Sequence, residues 1–285
     1  MIAIHSGSLH ARDSVAPQNA GEIRWVDLVD DKTRKQLGRY DVLEHSPPGQ
    51  KAIKKAFKFP DDAQDGLYGI DISHHNGKVD WSAVTSGGAK FVYIKASQGD
   101  RFRDKMFATN WIDSGKKGKI RRGAYHFLTA NTSGKDQAKA YLAMLKSVNG
   151  LDPDDLAPVL DLEWDMVKVG GKEEDRWSKL TPDQIAETAL EWLNAVKAAT
   201  GRTPTIYTAA SWWNSRMPGV TKLKDFPHWT ADYREGSFRN GAPQVVKGHK
   251  QVAWQFTDGG QFPGTASKFD VNWLKHGDIK QLIGN

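Results

Sequence analysis

Beyond residue 65, short apolar runs alternate with stretches in which apolar residues recur at every third or fourth position. Runs at 67–72, 91–96, 123–128, 158–163 and 205–208 have the length and the β-branched or aromatic content of buried strands. The gaps carry helical spacing, most clearly at 136–148 and 182–199, where Ile185, Ala189, Trp192, Leu193 and Val196 share one face. Thr181-Pro182 marks the start of the second helix, a capping hydroxyl followed by proline at the first helical position. After residue 208 the helical spacing thins out, and strands are predicted at 228–233, 252–257 and 269–273. Alternating β and α units predict an α/β fold with a parallel sheet covered by helices. Eight strands in a segment of this length favour a closed barrel, read as five βα units followed by three shorter strands.

The first 65 residues do not share this rhythm. Glu44-His45-Ser46-Pro47-Pro48-Gly49-Gln50 and the polar stretch after Pro60 punctuate the chain, so the expected division is an N-terminal extension, 1–65, and a barrel, 66–285. Within the extension, 23–29 alternates loosely like a strand. Residues 51–59 interleave Lys51, Lys54, Lys55 and Lys58 with Ile53, Phe57 and Phe59, the pattern of a short basic amphipathic helix. Packing on the barrel is the plainer reading of that helix, and a polyanion or membrane surface the other. Met1 to His10 lack the charged and apolar regions of a secretory signal, so the route of export is left open.

Composition narrows the chemistry. No apolar run approaches the roughly 18 residues of a membrane span, and with no cysteine in 285 residues there are no disulfides, thiol nucleophiles or thiolate metal sites. The net charge of +6 lies wholly beyond residue 65, because the extension balances ten basic against ten acidic side chains. Such a surface suits an anionic polymer such as nucleic acid or bacterial cell wall, and equally suits plain solubility.

In barrels of this class the chemistry collects where strands end, so polar residues closing apolar runs are the candidates. They are Asp71 and Ser73, Lys95 and Ser97, Tyr125 and His126, Asp161 and Glu163, Tyr207, Asp232, Gln255 and Asp270. Asp161 and Glu163 stand two apart on an apolar run, which on a strand gives them one face and backbone positions about 6 to 7 Å apart. Unpaired buried charge is costly, so such a pair is a salt-bridge set, a metal site or an acid/base couple. Several carboxylates around one mouth raise the pKa of at least one of them, as acid catalysis of glycosidic cleavage requires. Among eleven tryptophans, Trp164, Trp212, Trp213, Trp229, Trp254 and Trp273 fall near strand ends, where sugar stacking and core packing are both open to them. His74, His75 and His126 raise a metal-dependent deacetylase, but they lack the spacing of a three-ligand site, and structural or sugar-bonding roles are the better reading.

Seven ordered segments carry a resemblance. Gly69-Ile70-Asp71-Ile72-Ser73-His74-His75-Asn76-Gly77, Val79-Asp80-Trp81, Phe91-Val92-Tyr93-Ile94-Lys95-Ala96, Gly123-Ala124-Tyr125-His126-Phe127, Pro158-Val159-Leu160-Asp161-Leu162-Glu163, Ile206-Tyr207-Thr208 and Trp254-Gln255-Phe256 resemble the glycoside hydrolase family 25 lysozymes, the Chalaropsis-type muramidases. The resemblance runs in order over about residues 67 to 275 and implies an irregular TIM-like barrel. It also implies cleavage of the β-1,4 bond between N-acetylmuramic acid and N-acetylglucosamine in peptidoglycan. By it, Glu163 matches the general acid/base and Asp161 its partner carboxylate. Asp71 and Asp270 match the acidic residues of the first and last strands, and Tyr125 an active-site tyrosine. Lys95, Tyr207, Trp254, Gln255 and Asp232 complete the expected substrate-binding set. Gln98, where the family often has glutamate, and His75, where it often has tryptophan or asparagine, depart from the pattern.

The expected mechanism has a protonated Glu163 donating to the glycosidic oxygen while the substrate's 2-acetamido oxygen attacks the anomeric carbon, oriented by Asp161. Direct water attack assisted by Asp71 or Asp270 is the alternative. No cofactor or metal is expected, the partner is bacterial peptidoglycan rather than nucleic acid, the chain is expected to be monomeric, and its action lies in the cell wall or periplasm. A chitinase-like or endoglucosaminidase-like enzyme and a non-catalytic wall-binding effector are the other functional readings.

Overall fold

A computed structural model describes residues 66–233, 242–262, 267–275 and 277–284. The strand at 23–29, the basic helix at 51–59 and the boundary near residue 65 lie outside the described residues. From Gly66 the chain forms strand β1 (Gly66–Ile72), helix α1 (Trp81–Ser86), β2 (Ala89–Gln98), a two-residue β3 (Phe102–Arg103), α2 (Phe107–Asp113), β4 (Arg121–Phe127) and α3 (Gly134–Lys146). There follow β5 (Val159–Asp161), a hairpin of β6 (Met166–Val169) and β7 (Lys172–Asp175), α4 (Pro182–Thr200), β8 (Thr205–Ala209), α5 (Ala210–Arg216), β9 (His228–Ala231), β10 (Gln251–Gly260) and β11 (Phe269–Lys275).

Eight strands close a barrel in the order β1-β2-β4-β5-β8-β9-β10-β11, with β11 returning to β1 and β3 appended at the edge of β2. The five βα units are those the periodicity predicts, and all eight predicted strands are present. The sheet is not wholly parallel, however, because β11 runs antiparallel to both β10 and β1. The final strands are also not uniformly short, since β10 spans ten residues.

Local chemistry explains the two long helices. Thr181 accepts a hydrogen bond from the Gln184 N–H, and the Gln184 side chain accepts one from the Thr181 N–H, a reciprocal cap with Pro182 at the first helical position. Gly201 ends α4 at φ +71°, a left-handed conformation that an L side chain resists. In α3, Ser133 caps the Asp136 N–H. The two helices meet so closely that a Cβ on Gly134 would stand 2.0 Å from the Thr188 carbonyl oxygen. Behind β4, His126 stacks on Trp192 at 5.5 Å, and Tyr141 donates to the Ala124 carbonyl at 3.1 Å. Burial holds the His126 imidazole down at about 3, hence neutral.

Candidate active site

Strand faces divide the predicted site residues into two sets. Asp71, Tyr125, Val159, Asp161, Tyr207 and Trp229 line one small cavity inside the barrel at its carboxyl end. His126, next to Tyr125, points the other way and bonds Ser97 Oγ at 2.8 Å and Gln137 Oε1 at 3.2 Å. Ser97 should share the face of Lys95, two residues earlier. A register shift in the β2–β4 ladder between Lys95 and Ser97 turns it outward instead. Neither Ser97 nor His126 therefore belongs to the mouth.

Asp71 and Asp270 are direct cross-strand partners. The reversal of β11 makes this possible, because its beginning lies where the parallel strands end. Asp71 Oδ2 accepts from Gln255 Nε2 at 2.9 Å and Asn272 Nδ2 at 2.8 Å, and the two carboxyl groups hydrogen-bond each other. Gln255 Oε1 in turn accepts from the hydroxyls of Tyr207 at 2.6 Å and Tyr233 at 2.5 Å. Desolvation raises the pKa of both carboxyl groups, Asp270 well above the usual range. The amide donors favour the charged form of Asp71, so the shared proton resides on Asp270, where the charges of Asp71 and Asp258 also disfavour ionisation. Asp270 is only half-buried by surface area, yet its carboxyl is enclosed within the mouth.

This coupling has a measurable sign. A carboxyl group whose folded pKa is raised contributes stability below its unfolded pKa, about 4, and that contribution is lost as pH rises through the folded value. Asp270→Asn keeps a donor for Asp71 and removes the titrating group. Its melting temperature relative to the parent is expected to climb steadily from pH 4 to pH 9. A difference that stays constant across that range would refute the protonated Asp270.

Asp161 is buried and ends β5, with Leu128 N–H donating to its carbonyl at 2.9 Å. Glu163 does not continue the strand as the apolar run suggested. It sits in a bend just past β5, half-buried, after Leu162 N–H has made a last sheet bond to the Tyr207 carbonyl at 2.9 Å. Its charge is felt by Tyr207, Tyr233 and Asp270, so it faces the same cluster. Trp164 follows, partly buried.

The remaining expected residues sit as follows. Lys95 is buried, with its ammonium 5.1 Å from the Phe127 ring and 5.8 Å from Phe102. Asp232 lies just beyond β9 and accepts from the Gln244 N–H at 2.7 Å. Trp254 occupies the opposite face of β10 from Gln255, packs against Phe256 and donates its indole N–H to the Asp232 carbonyl at 2.9 Å. The structure thus brings together Asp71, Tyr125, Asp161, Glu163, Tyr207, Gln255 and Asp270, and leaves Trp254 behind the strand. Gln98, the departure in the second-strand motif, is buried at the end of β2.

Sequence reasoning missed Asn272, Tyr233 and Asp258, and of the six tryptophans it placed near strand ends, Trp229 is the one that lines this cavity. Asn272 stands two residues from Asp270, the spacing that should have placed both on one face. Among the described residues no group of three or more His, Asp or Glu is placed to hold a metal ion. His74 lies in a 3₁₀ turn, not a strand, and bonds Asp104 Oδ2 at 2.9 Å. A larger groove of about 630 Å³ near Arg121 and Arg122 lies toward the other end of β4. Arg122 there is engaged by Asp152 and Asp155, so this groove is not the carboxylate site.

A closed βα barrel with carboxylates gathered at its carboxyl mouth is an architecture that suits a glycosidase. The family model of glycosyl hydrolases family 25 matches residues 70–265, and the chain belongs to that family. It is 32% identical to lysozyme M1 of Streptomyces globisporus over 73% of this chain and 67% of that protein. It is 29% identical to an N,O-diacetylmuramidase of Arthroderma benhamiae over 72% of this chain and 82% of that one. Among solved structures, the bacterial lysozyme from Streptomyces coelicolor superposes with a TM-score of 0.65 at 31% identity, covering 77% of this chain and 96% of that one.

Proposed function

We propose that residues 66–285 form a peptidoglycan hydrolase that cleaves the β-1,4 bond between N-acetylmuramic acid and N-acetylglucosamine. The observation that supports it most is the meeting of Asp161 and Glu163, at the end of β5, with the Asp71–Asp270 couple across the mouth of a family 25 barrel. Glu163, in its bend at the rim, donates the proton to the departing glycosidic oxygen. Asp161, deeper in the cavity, takes the substrate's acetamido N–H and balances the positive charge that develops as the acetamido oxygen closes on the anomeric carbon. Two carboxyl groups so close in sequence suit proton donation and acetamido assistance better than attack from opposite sugar faces. Asp71, held by Gln255, Asn272 and neutral Asp270, supplies fixed negative charge behind the reacting ring. The reaction belongs outside the cytoplasm, where peptidoglycan lies.

Reducing-end analysis of digested sacculi tests the bond. New reducing muramic acid is the expected product. New reducing glucosamine would instead assign a glucosaminidase, and tight binding to sacculi with no new reducing ends would assign a wall-binding protein.

A further inference from the structure

Two residues past Glu163 begins a chain of charged pairs, buried at Asp165, Arg176 and Asp175, that none of the steps above uses. Asp165 is fully buried and forms a two-pronged pair with Arg176, Nε to Oδ2 and Nη2 to Oδ1, each 2.8 Å. The same Oδ2 accepts from the Ala130 N–H at 2.7 Å, in the loop after β4. The Asp165 N–H donates to Asp175 Oδ1 at 3.1 Å, and Asp175 Oδ2 accepts from Arg216 Nε at 2.8 Å, at the end of α5. These contacts link the segments following β4, β5 and β8, the three strands that carry Tyr125, Asp161 and Tyr207.

Glu163 is thereby held from both sides. Leu162 is fixed upstream by its bond to Tyr207, and Asp165 is fixed downstream by hydrogen bonds with three residues, Ala130, Asp175 and Arg176, on two segments. The hairpin β6–β7 is anchored by the same pairs, since Asp165 precedes it while Asp175 and Arg176 close it. A fully buried ion pair adds little net stability over an apolar pair of equal size, so what it supplies is defined geometry. Planar two-pronged pairing also fixes orientation in a way that a lysine cannot reproduce.

We infer that Asp165 and Arg176 are positioning residues for the reaction, acting by locking the backbone bend that aims Glu163 at the glycosidic oxygen. The inference rests on Glu163 being the proton donor. Displacing a catalytic group by about 1 Å costs on the order of a hundredfold in rate, so a loosened bend should show in turnover before it shows in binding.

Leaving-group dependence provides the test, with the full-length chain, Glu163→Gln, Arg176→Lys and Asp165→Asn. Each is assayed on isolated sacculi and on the 2,4-dinitrophenyl β-glycoside of N-acetylglucosaminyl-N-acetylmuramic acid, whose leaving group departs without a proton. For Arg176→Lys, kcat on sacculi is expected to fall about ten- to hundredfold with KM within twofold, while first-turnover dinitrophenolate release stays within about threefold of the parent. Asp165→Asn, which keeps an acceptor for Ala130, should show the same split and covers the case in which Arg176→Lys does not fold. Equal losses on both substrates, or full activity on sacculi, would reduce the pair to a structural brace and overturn the proposal while leaving Glu163 as the acid. If Glu163→Gln itself shows no leaving-group dependence, the acid assignment fails and the positioning role with it.

Discussion

Glu163→Gln is expected to fold as the parent does and to turn over peptidoglycan about a thousandfold more slowly. Glutamine has the shape of glutamate and differs only in lacking the transferable proton, and general acid catalysis contributes about a hundred- to ten-thousandfold. Folding should survive because the bend is held by main-chain and neighbouring bonds, Leu162 to Tyr207 and Asp165 to Arg176. Release of reducing sugar from sacculi, measured beside far-ultraviolet circular dichroism and a melting curve, separates the two effects. Turnover within tenfold of the parent would transfer the acid role to another carboxyl of the mouth, with Asp270, which holds its proton, the first candidate.

Asp161→Asn is expected to lose about a hundredfold or more, and the loss should depend on the substrate's acetyl group. In the proposed mechanism the acetamido oxygen is the nucleophile and Asp161 its orienting charge, so the two act as one unit. Walls chemically stripped of the muramic acetyl group should then be poor substrates for the parent, and poor to a similar degree for Asp161→Asn. Removing both partners should cost little more than removing either, the signature of strongly coupled groups. Losses that multiply would make Asp161 independent of the acetamido group and favour direct attack by water. Proton NMR of the first product gives the complementary reading, since acetamido participation releases the β-anomer first and direct water attack the α-anomer.

Several parts of this architecture were legible because one local signal sufficed. Thr181-Pro182 with Gln184 specifies a helix start through bonds confined to four residues, and the face formed by Ile185, Ala189, Trp192 and Val196 needs only a core to pack on. The hairpin at 166–175 was less visible, because Lys172-Glu173-Glu174-Asp175 has no apolar alternation. Its one sequence signal, Gly170-Gly171, holds positive φ at both positions, as a tight two-residue turn between antiparallel strands requires.

The sequence by itself determined the repeating βα units, the absence of thiol chemistry and the acidic residues available for the reaction, since these follow from periodicity, composition and residue identity. Which of those residues meet was decided only in three dimensions. A shift of one residue in the β2–β4 ladder removes Ser97 from the mouth, and alternation along β4 and β10 sends His126 and Trp254 behind the sheet while Tyr125 and Gln255 face inward. The antiparallel return of β11 places Asp270 opposite Asp71, although Asp270 begins its strand rather than ending it. Face and direction depend on how a strand is paired, and pairing is made by partners up to two hundred residues away, so no local pattern could have encoded them.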